Sequence, residues 1–281
     1  MKIGIIANLN KDNASVVLNK VIDKLNALNV EVLLPQNCSF DDIVSNKTGT
    51  YLNVIENSDV IIAIGGDGTI IHTAKLAAIY SKAVLGINSG RTGYMAGIES
   101  DELDLLNKLI DGDYSIENRM MLSSVVSSNP DKIYYSLNDV VISKGSMDYA
   151  PDFSLFNSAK HFMNLRADGI IVSTPTGSTA YAMSAGGPVT DPSIECMIVV
   201  PICPISLYSK GFVLSAESKI DIKFKTRGNQ NVFVTFDGRD GCTLTSDDTL
   251  TLSKADDVVT RLIKIKNDSF YDVLKNKISV I

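Results

Sequence analysis

Near Tyr114 the apolar pattern of this chain changes its period. Ahead of that point, apolar runs alternate with segments whose apolar residues recur every three or four positions, the mark of strands joined by helices. Beyond it, short apolar runs follow one another with only turn residues between them, which reads as antiparallel strands. A length of 281 residues suits two modest domains better than one large one. The expected architecture is an α/β domain followed by a β-rich one.

In the first part, "KIGIIAN" is a strand, and Ala14, Val17, Leu18, Val21, Leu25 and Leu28 then mark a helix. "VEVLL" is a second strand closed by Pro35, and the polar segment 36–50 reads as a loop. "DVIIAI" and "AVLGIN" are further strands, separated by a helix from about Thr69 to Tyr80. "DELDLLNKLIDGDY" gives a last helix closed near Gly112. This order predicts a mostly parallel, doubly wound sheet over residues 1–114, with ligands at the carboxyl ends of its strands. Two glycine loops, 65–68 and 89–93, fall at such ends and are expected to face one crevice. Residues 115–266 are expected to form the β-rich domain. Their strand-like runs include "IYYSLNDVVIS", "GIIVST", "MIVVPI", "VFVTFDG" and "VVTRLIKI", with one helix near Ser178–Ala185. The tail 267–281 returns to helical spacing in "SFYDVLKNKI" and is expected to pack back on the first domain.

Charge and composition narrow the function. A net charge of −6 argues against a general nucleic-acid binder, so an anionic substrate has to be met by local groups. The four cysteines, Cys38, Cys196, Cys203 and Cys242, have no metal-ligand spacing and read as buried or incidental thiols of a reducing compartment. Two histidines, His72 and His161, leave little material for a zinc site or a Ser-His-Asp triad. No apolar run approaches the roughly 18 residues of a membrane span, and "KIGIIAN" is too short for the core of a signal peptide. A soluble cytoplasmic protein, without a membrane or nucleic-acid partner, is the expectation.

Chemistry concentrates first in Gly65-Gly66-Asp67-Gly68-Thr69, set between a strand and a helix. Glycines there let backbone amides approach a phosphate, and helix N-termini attract anions. The same string also suits a tight turn with positive φ and Asp67 as helix cap. Asp67 tips the balance. A carboxylate beside phosphate is repulsive unless it holds Mg²⁺ or takes a proton from an attacking hydroxyl, and both tasks belong to phosphoryl transfer. His72, on the first turns of that helix, is grouped with this loop, although packing accounts for it more simply. Arg91, in the second glycine loop, is the preferred phosphate contact because a guanidinium binds phosphate through two bonds.

A second concentration lies further on. From Ile170 to Val189 no residue is charged, while Ser173, Thr174, Thr176, Ser178 and Thr179 supply five hydroxyls around Pro175 and Gly177. Nucleotide binding explains these better than a small-residue helix packed on a sheet. Ser178 or Thr179 is expected to cap the helix that follows. Asn138 and Asp139 fall inside a strand pattern, so that alternation sends one outward unless both occupy a bulge. Asp168 suits an Asx turn, and Arg166 lies in the same "RADG" string. "FDG" at 236–238 has the form of a hairpin turn.

These segments together resemble the NAD kinases. GGDGT alone is shared with diacylglycerol kinases, sphingosine kinases and 6-phosphofructokinases. "LNDVVISKG" at 137–145 and the Arg166–Pro192 segment "RADGIIVSTPTGSTAYAMSAGGPVTDP" are similar to signatures of the NAD kinases, as are "NSGRTGYMAG", "RMML", "SLYSKGFVLSAESKI", "FDG" at 236–238 and "FYDVL". The resemblance implies Mg²⁺-dependent transfer of phosphate from ATP to the adenosine ribose 2′-hydroxyl of NAD, giving NADP. It implies Asp67 as base or metal anchor, with Gly65, Gly66, Gly68 and Thr69 on the phosphates. Asn138 and Asp139 would bond ribose hydroxyls or the adenine edge. Thr179, Ala180 and Tyr181 would line the adenosine, with Ser184 nearby and Thr176, Gly177 and Ser178 in the same wall. Asp168 would serve the nicotinamide end, in some members across a subunit boundary, within a homodimer or homotetramer. The ligand would sit between the two domains. Three departures stand out: Ile205 where many members have His, Lys210-Gly211 where Arg-Pro is frequent, and "RADG" in place of "RGDG". A lipid or sphingoid-base kinase and a non-catalytic NAD sensor are the rivals. The hydroxyl-rich 170–189 segment fits the first poorly, and Asp67 has no task in the second.

Overall fold

Uncharged runs rich in Ile and Val have no face to offer water, and "VIIAIG" and "AVLGIN" become central strands buried on both sides. The computed structural model describes residues 1–10, 13–35, 49–90, 93–145, 149–206, 209–227 and 230–278. In chain order the first elements are β1 (Lys2–Ala7), α1 (Ala14–Ala27), β2 (Glu31–Leu33), α2 (Gly49–Asn57), β3 (Val60–Gly65), α3 (Asp67–Ile79), β4 (Ala83–Asn88) and β5 (Ile98–Glu99). A 3-10 turn (Leu103–Leu105) then leads into α4 (Leu106–Asp111). The strands β6 (Ser115–Arg119), β7 (Leu122–Val126), β8 (Asn129–Ser136), β9 (Asp139–Lys144), β10 (Asp152–Asn157), β11 (Lys160–Arg166) and β12 (Gly169–Ser173) follow. After another 3-10 turn (Thr176–Thr179) and α5 (Tyr181–Ser184) come β13 (Cys196–Ile202), β14 (Phe212–Ser215), β15 (Ile220–Lys225), β16 (Val232–Phe236) and β17 (Arg239–Leu244). The last elements are β18 (Leu250–Lys254), β19 (Thr260–Lys264) and α6 (Phe270–Ile278).

The chain divides into two compact units, Met1–Arg119 with Val258–Ile281, and Met120–Asp257. In the first unit the sheet order is β2-β1-β3-β4-β19-β6, with β5 paired to β4. Every neighbouring pair is parallel except β19 with β6. Val17, Val21 and Leu25 of α1 and Leu106 and Leu109 of α4 share one core with Ile3, Ile62, Ile64, Leu85 and Ile87. The helices α2 and α3 pack beside each other, against β1 and against β3 and β4 respectively. Three sequence expectations change here. The run "VVTRLIKI" joins this sheet as β19, because a period-two apolar strand fits whichever edge offers hydrogen bonds. β6 joins with it, so the unit runs past Tyr114 to Arg119. The segment 49–57 is a helix, whose first two residues were expected to end a polar loop.

The second unit holds two six-stranded antiparallel sheets, β11-β10-β15-β18-β7-β8 and β14-β13-β12-β9-β16-β17. Residues from both, among them Leu122, Phe153, Ile222 and Leu252 from one and Ile142, Val172, Val199 and Val234 from the other, form a single apolar core. Alternation along β9, β12 and β13 turns Val141, Ile171, Ile198 and Val200 to the opposite face, where Ala182 of α5 covers them. "IYYSLNDVVIS", expected as one strand, is two. β8 ends at Ser136 in one sheet and β9 begins at Asp139 in the other, with Leu137 and Asn138 making the crossing.

Candidate functional site

The strand order of the first unit reverses between β1 and β3, since β1 leads to β2 on one side and β3 leads to β4 on the other. Crevices at such reversals, beyond the carboxyl ends of the strands, are where open α/β sheets take ligands. The GGDGT turn occupies that place. Gly66 holds the N-cap position of α3 in extended conformation (φ −89°, ψ −177°), and Asp67 is the first helical residue. Neither Gly66 nor Gly68 has a neighbour within 4 Å of where a Cβ would stand, so the backbone there is open to an approaching ligand. None of the three glycines has positive φ, and the Asp67 side chain caps no backbone of its own helix.

The Asp67 carboxylate instead reaches the loop after β4. One oxygen accepts the Tyr94 N–H at 2.7 Å and the other the Met95 N–H at 2.9 Å. A Cβ on Gly93 would stand 2.7 Å from Asp67 Oδ1, so a larger residue there would push the carboxylate out of its place. Half-buried, with one bond on each oxygen, Asp67 keeps lone pairs for a further proton or cation. Burial, and then the Asp67 charge, raise the Tyr94 phenol above its ordinary value. Asn8, at the tip of β1, accepts the Asn10 N–H on its side-chain oxygen and donates to Thr69 Oγ1 at 3.3 Å. Asn88, at the tip of β4, donates to Glu99 at 2.8 Å and accepts the Gly90 N–H. His72 is 4 % exposed and packs within the unit. Arg91 lies outside the described residues.

In the second unit the site forms where the chain crosses between sheets. Asp237, at φ 54° in the β16–β17 turn, accepts the N–H groups of Leu137 (3.0 Å), Asn138 (2.7 Å) and Asp139 (3.2 Å). Asn138 is thus in a connector, which removes the choice between an outward strand position and a bulge. Its carbonyl accepts the Thr174 N–H at 2.9 Å and the Ser173 hydroxyl at 3.1 Å. A Cβ on Gly177 would collide with that carbonyl, so only glycine lets the Thr176–Thr179 turn lie against it. The side-chain oxygen of Asn138 is buried without a hydrogen-bond partner among the described residues, a cost that a ligand donor would remove. Asp139 is 5 % exposed, and burial followed by the Asp237 charge pushes its carboxyl up to about 7.

Several of the hydroxyls hold the walls. Thr174 Oγ1 donates to the Leu137 carbonyl at 2.6 Å and accepts the Gly177 N–H at 3.1 Å. Ser178 bonds both the carbonyl and the N–H of Thr190, and Thr179 donates to the Thr176 carbonyl at 3.4 Å. Neither Ser178 nor Thr179 caps α5, whose N-cap position is Ala180. Tyr181 and Ser184 are exposed on α5. Arg166 and Asp168 stand elsewhere. Ser173 pairs with Asp139 and Gly169 with Ser143, so Asp168 lies beyond the other end of β12, about 17 Å along the strand. Asp168 pairs with Lys144 at 2.8 Å, and Arg166 makes a two-pronged pair with Asp152 on the exposed edge of β10–β11.

Residues 3–114 match the family model described as the ATP-NAD kinase N-terminal domain, and residues 137–265 match the ATP-NAD kinase C-terminal domain. The chain is 37 % identical over 287 residues to an NAD kinase of Caldanaerobacter subterraneus subsp. tengcongensis, covering 99 % of each. It is 34 % identical over 287 residues to an NAD kinase of Thermoanaerobacter sp. (strain X514), again covering 99 % of each. Among solved structures, an NAD kinase from Archaeoglobus fulgidus in complex with ATP superposes with a TM-score of 0.79 at 27 % identity over 100 % of both chains. A yeast NADH kinase complexed with NADH gives 0.85 at 20 % identity, covering 100 % of this chain and 88 % of that one, a likeness of fold.

Proposed function

The chain belongs to the NAD kinase family, and on that footing we propose that it transfers the γ-phosphoryl group of ATP to the adenosine ribose 2′-hydroxyl of NAD. The observation that carries the reading is Asp67. It is a half-buried carboxylate fixed by the Tyr94 and Met95 amides beside a stretch of open glycine backbone. Asp67 takes the 2′-hydroxyl proton while the oxygen–phosphorus bond forms and ADP departs. The GGDGT backbone and the N-terminus of α3 receive the phosphates. Arg91 is retained as a further phosphate contact on sequence grounds. Among the described residues no three His, Cys, Asp or Glu side chains converge on one point. Mg²⁺ would be held by ATP phosphates and water and would neutralise phosphate charge, and Asp67 is the carboxylate that would anchor it in the alternative to the base role.

The second unit presents the acceptor. Asn138, with its unpartnered oxygen, and Asp139 bond the ribose or the adenine edge, and Thr179, Ala180 and Tyr181 line the adenosine. Asp168, set apart from Asp139 along β12, would serve the nicotinamide end, in a chain expected to form a homodimer or homotetramer. No helix among the described residues is long and apolar enough to cross a membrane, and a cytoplasmic place fits a consumer of ATP and NAD. Purified protein given NAD, ATP and Mg²⁺ is expected to form NADP. Phosphorylation of diacylglycerol or sphingosine at matching rates would replace this reading with that of a lipid kinase.

A further inference from the structure

The corner between β8 and β9 is held by a residue a hundred positions away. Tyr134, near the end of β8, stacks on Phe236, the last residue of β16, with ring centroids 4.1 Å apart and planes 11° off parallel. Asp237 comes next and adopts a left-handed conformation at φ 54°, followed by Gly238 at φ 69°. Its N–H donates to the Asp139 carbonyl at 2.9 Å, and its carboxylate accepts three consecutive amides in return. A chain leaving one sheet for another forfeits its ladder partners, and buried amides left unpaired are costly. Asp237 supplies that missing ladder with a single side chain.

We propose that Asp237 is a positioning residue for the nucleotide pocket, its carboxylate gathering the Leu137, Asn138 and Asp139 amides so that the side chains of Asn138 and Asp139 meet the acceptor. The proposal rests on the NAD kinase reading above. Two consequences distinguish it from a turn that merely closes a hairpin. The first is geometric: with the amides clasped, the Asn138 carbonyl is turned to Thr174 and Ser173, while its side-chain oxygen is left buried and without a partner. The second is electrostatic. Asp139 faces the Asp237 carboxylate, and opposite it β12 offers the uncharged Ser173. The Thr176–Thr179 turn carries no charge, and Arg239 follows on the Asp237 hairpin. Burial first, and the Asp237 charge second, push the Asp139 carboxyl up to about 7. Near neutral pH Asp139 therefore offers an O–H donor as well as an acceptor to a ribose oxygen or a ring nitrogen.

Asp237→Gly removes the clasp while keeping a residue at ease with positive φ. Asp237→Asn keeps one accepting oxygen and removes the charge, and it serves if the glycine variant fails to fold. For Asp237→Gly the expected result is an NAD KM raised roughly tenfold or more, with kcat and the KM for ATP changed less. For Asp237→Asn a few-fold rise is expected, with the Asp139 carboxyl, followed by carbon NMR on ligand-free protein, titrating well below its wild-type midpoint. An NAD KM within about twofold of wild type in both variants, or a kcat loss with no change in KM, would overturn the proposal. So would an Asp139 midpoint unmoved by Asp237→Asn. A wild-type chain that forms no NADP removes the parent reading and this one with it. An active wild type with indifferent Asp237 variants removes this one alone.

Discussion

Each unit contains a carboxylate that reaches out of its own element to hold the backbone of another segment, and the two differ in what they keep in reserve. Asp67 accepts two amides, one on each oxygen, and stays half-exposed beside open glycine backbone. Asp237 accepts three and lies behind the residues that would touch the ligand. A carboxylate with unused lone pairs at an open strand tip is placed for chemistry, whereas one consumed by backbone amides is placed for shape. Under the proposed function, reaction falls to the first unit and acceptor binding to the second.

That division ranks the expected effects. The largest is the loss of turnover in Asp67→Asn, on the order of 10²–10⁴ in kcat if the carboxylate takes the proton. A defect rescued by excess Mg²⁺ or by Mn²⁺ would reassign Asp67 to metal anchoring, and near-wild-type turnover at saturating Mg²⁺ would defeat the base role. Gly93→Ala drives a Cβ into Asp67 Oδ1 and is expected to cost about 1–3 kcal/mol in stability, with kcat falling as the carboxylate shifts. Denaturant melts and turnover measured together check this, and unaltered values for both would mean that the loop does not grip Asp67.

Asp139 offers a pH test of the second unit. Its folded-state carboxyl titrates at about 7 against an ordinary value of 3.8. As pH rises from about 4 toward 7, the unfolded chain gives up this proton while the folded one keeps it, so stability declines across that window and levels off above it. Asp139→Asn is expected to flatten that decline in urea melts taken across the range, and an identical slope in the variant would show that other groups cause it. The smallest effect is that of Asn138→Ala. Its side-chain oxygen has no partner among the described residues, so stability should barely change while the NAD KM rises a few-fold to roughly tenfold. A collapse of kcat at constant KM would move Asn138 to the reacting centre and blur the division.

How much of this was legible in sequence follows from how far apart the cooperating residues lie. GGDGT is contiguous, so its place between strand and helix and the oddity of its carboxylate could be read directly. The partners of Asp67 could not, because nothing in "TGYM" announces that two of its amides face back toward residue 67. A helix cap was therefore the alternative weighed against a chemical role for Asp67. Asn138 and Asp139 were visible as a polar pair, but apolar alternation runs unbroken through Ser136 and hides the change of sheet. Asp237 looked like an ordinary hairpin residue because its task is set by a segment a hundred positions earlier. The hydroxyls of 173–179 were read as ligand contacts, whereas Thr174 and Ser178 brace the turn from within. Strand β19 was recognised as a strand but not as a member of the first sheet, since its period is the same in either.

The most direct test of the division is the affinity of the Asp67→Asn variant for NAD, measured by titration calorimetry without ATP and set beside its kcat. The account predicts a dissociation constant within about twofold of wild type while turnover has fallen by orders of magnitude. A dissociation constant that rises in step with the loss of turnover would contradict it, placing Asp67 in acceptor binding and leaving the first unit without the chemistry assigned to it.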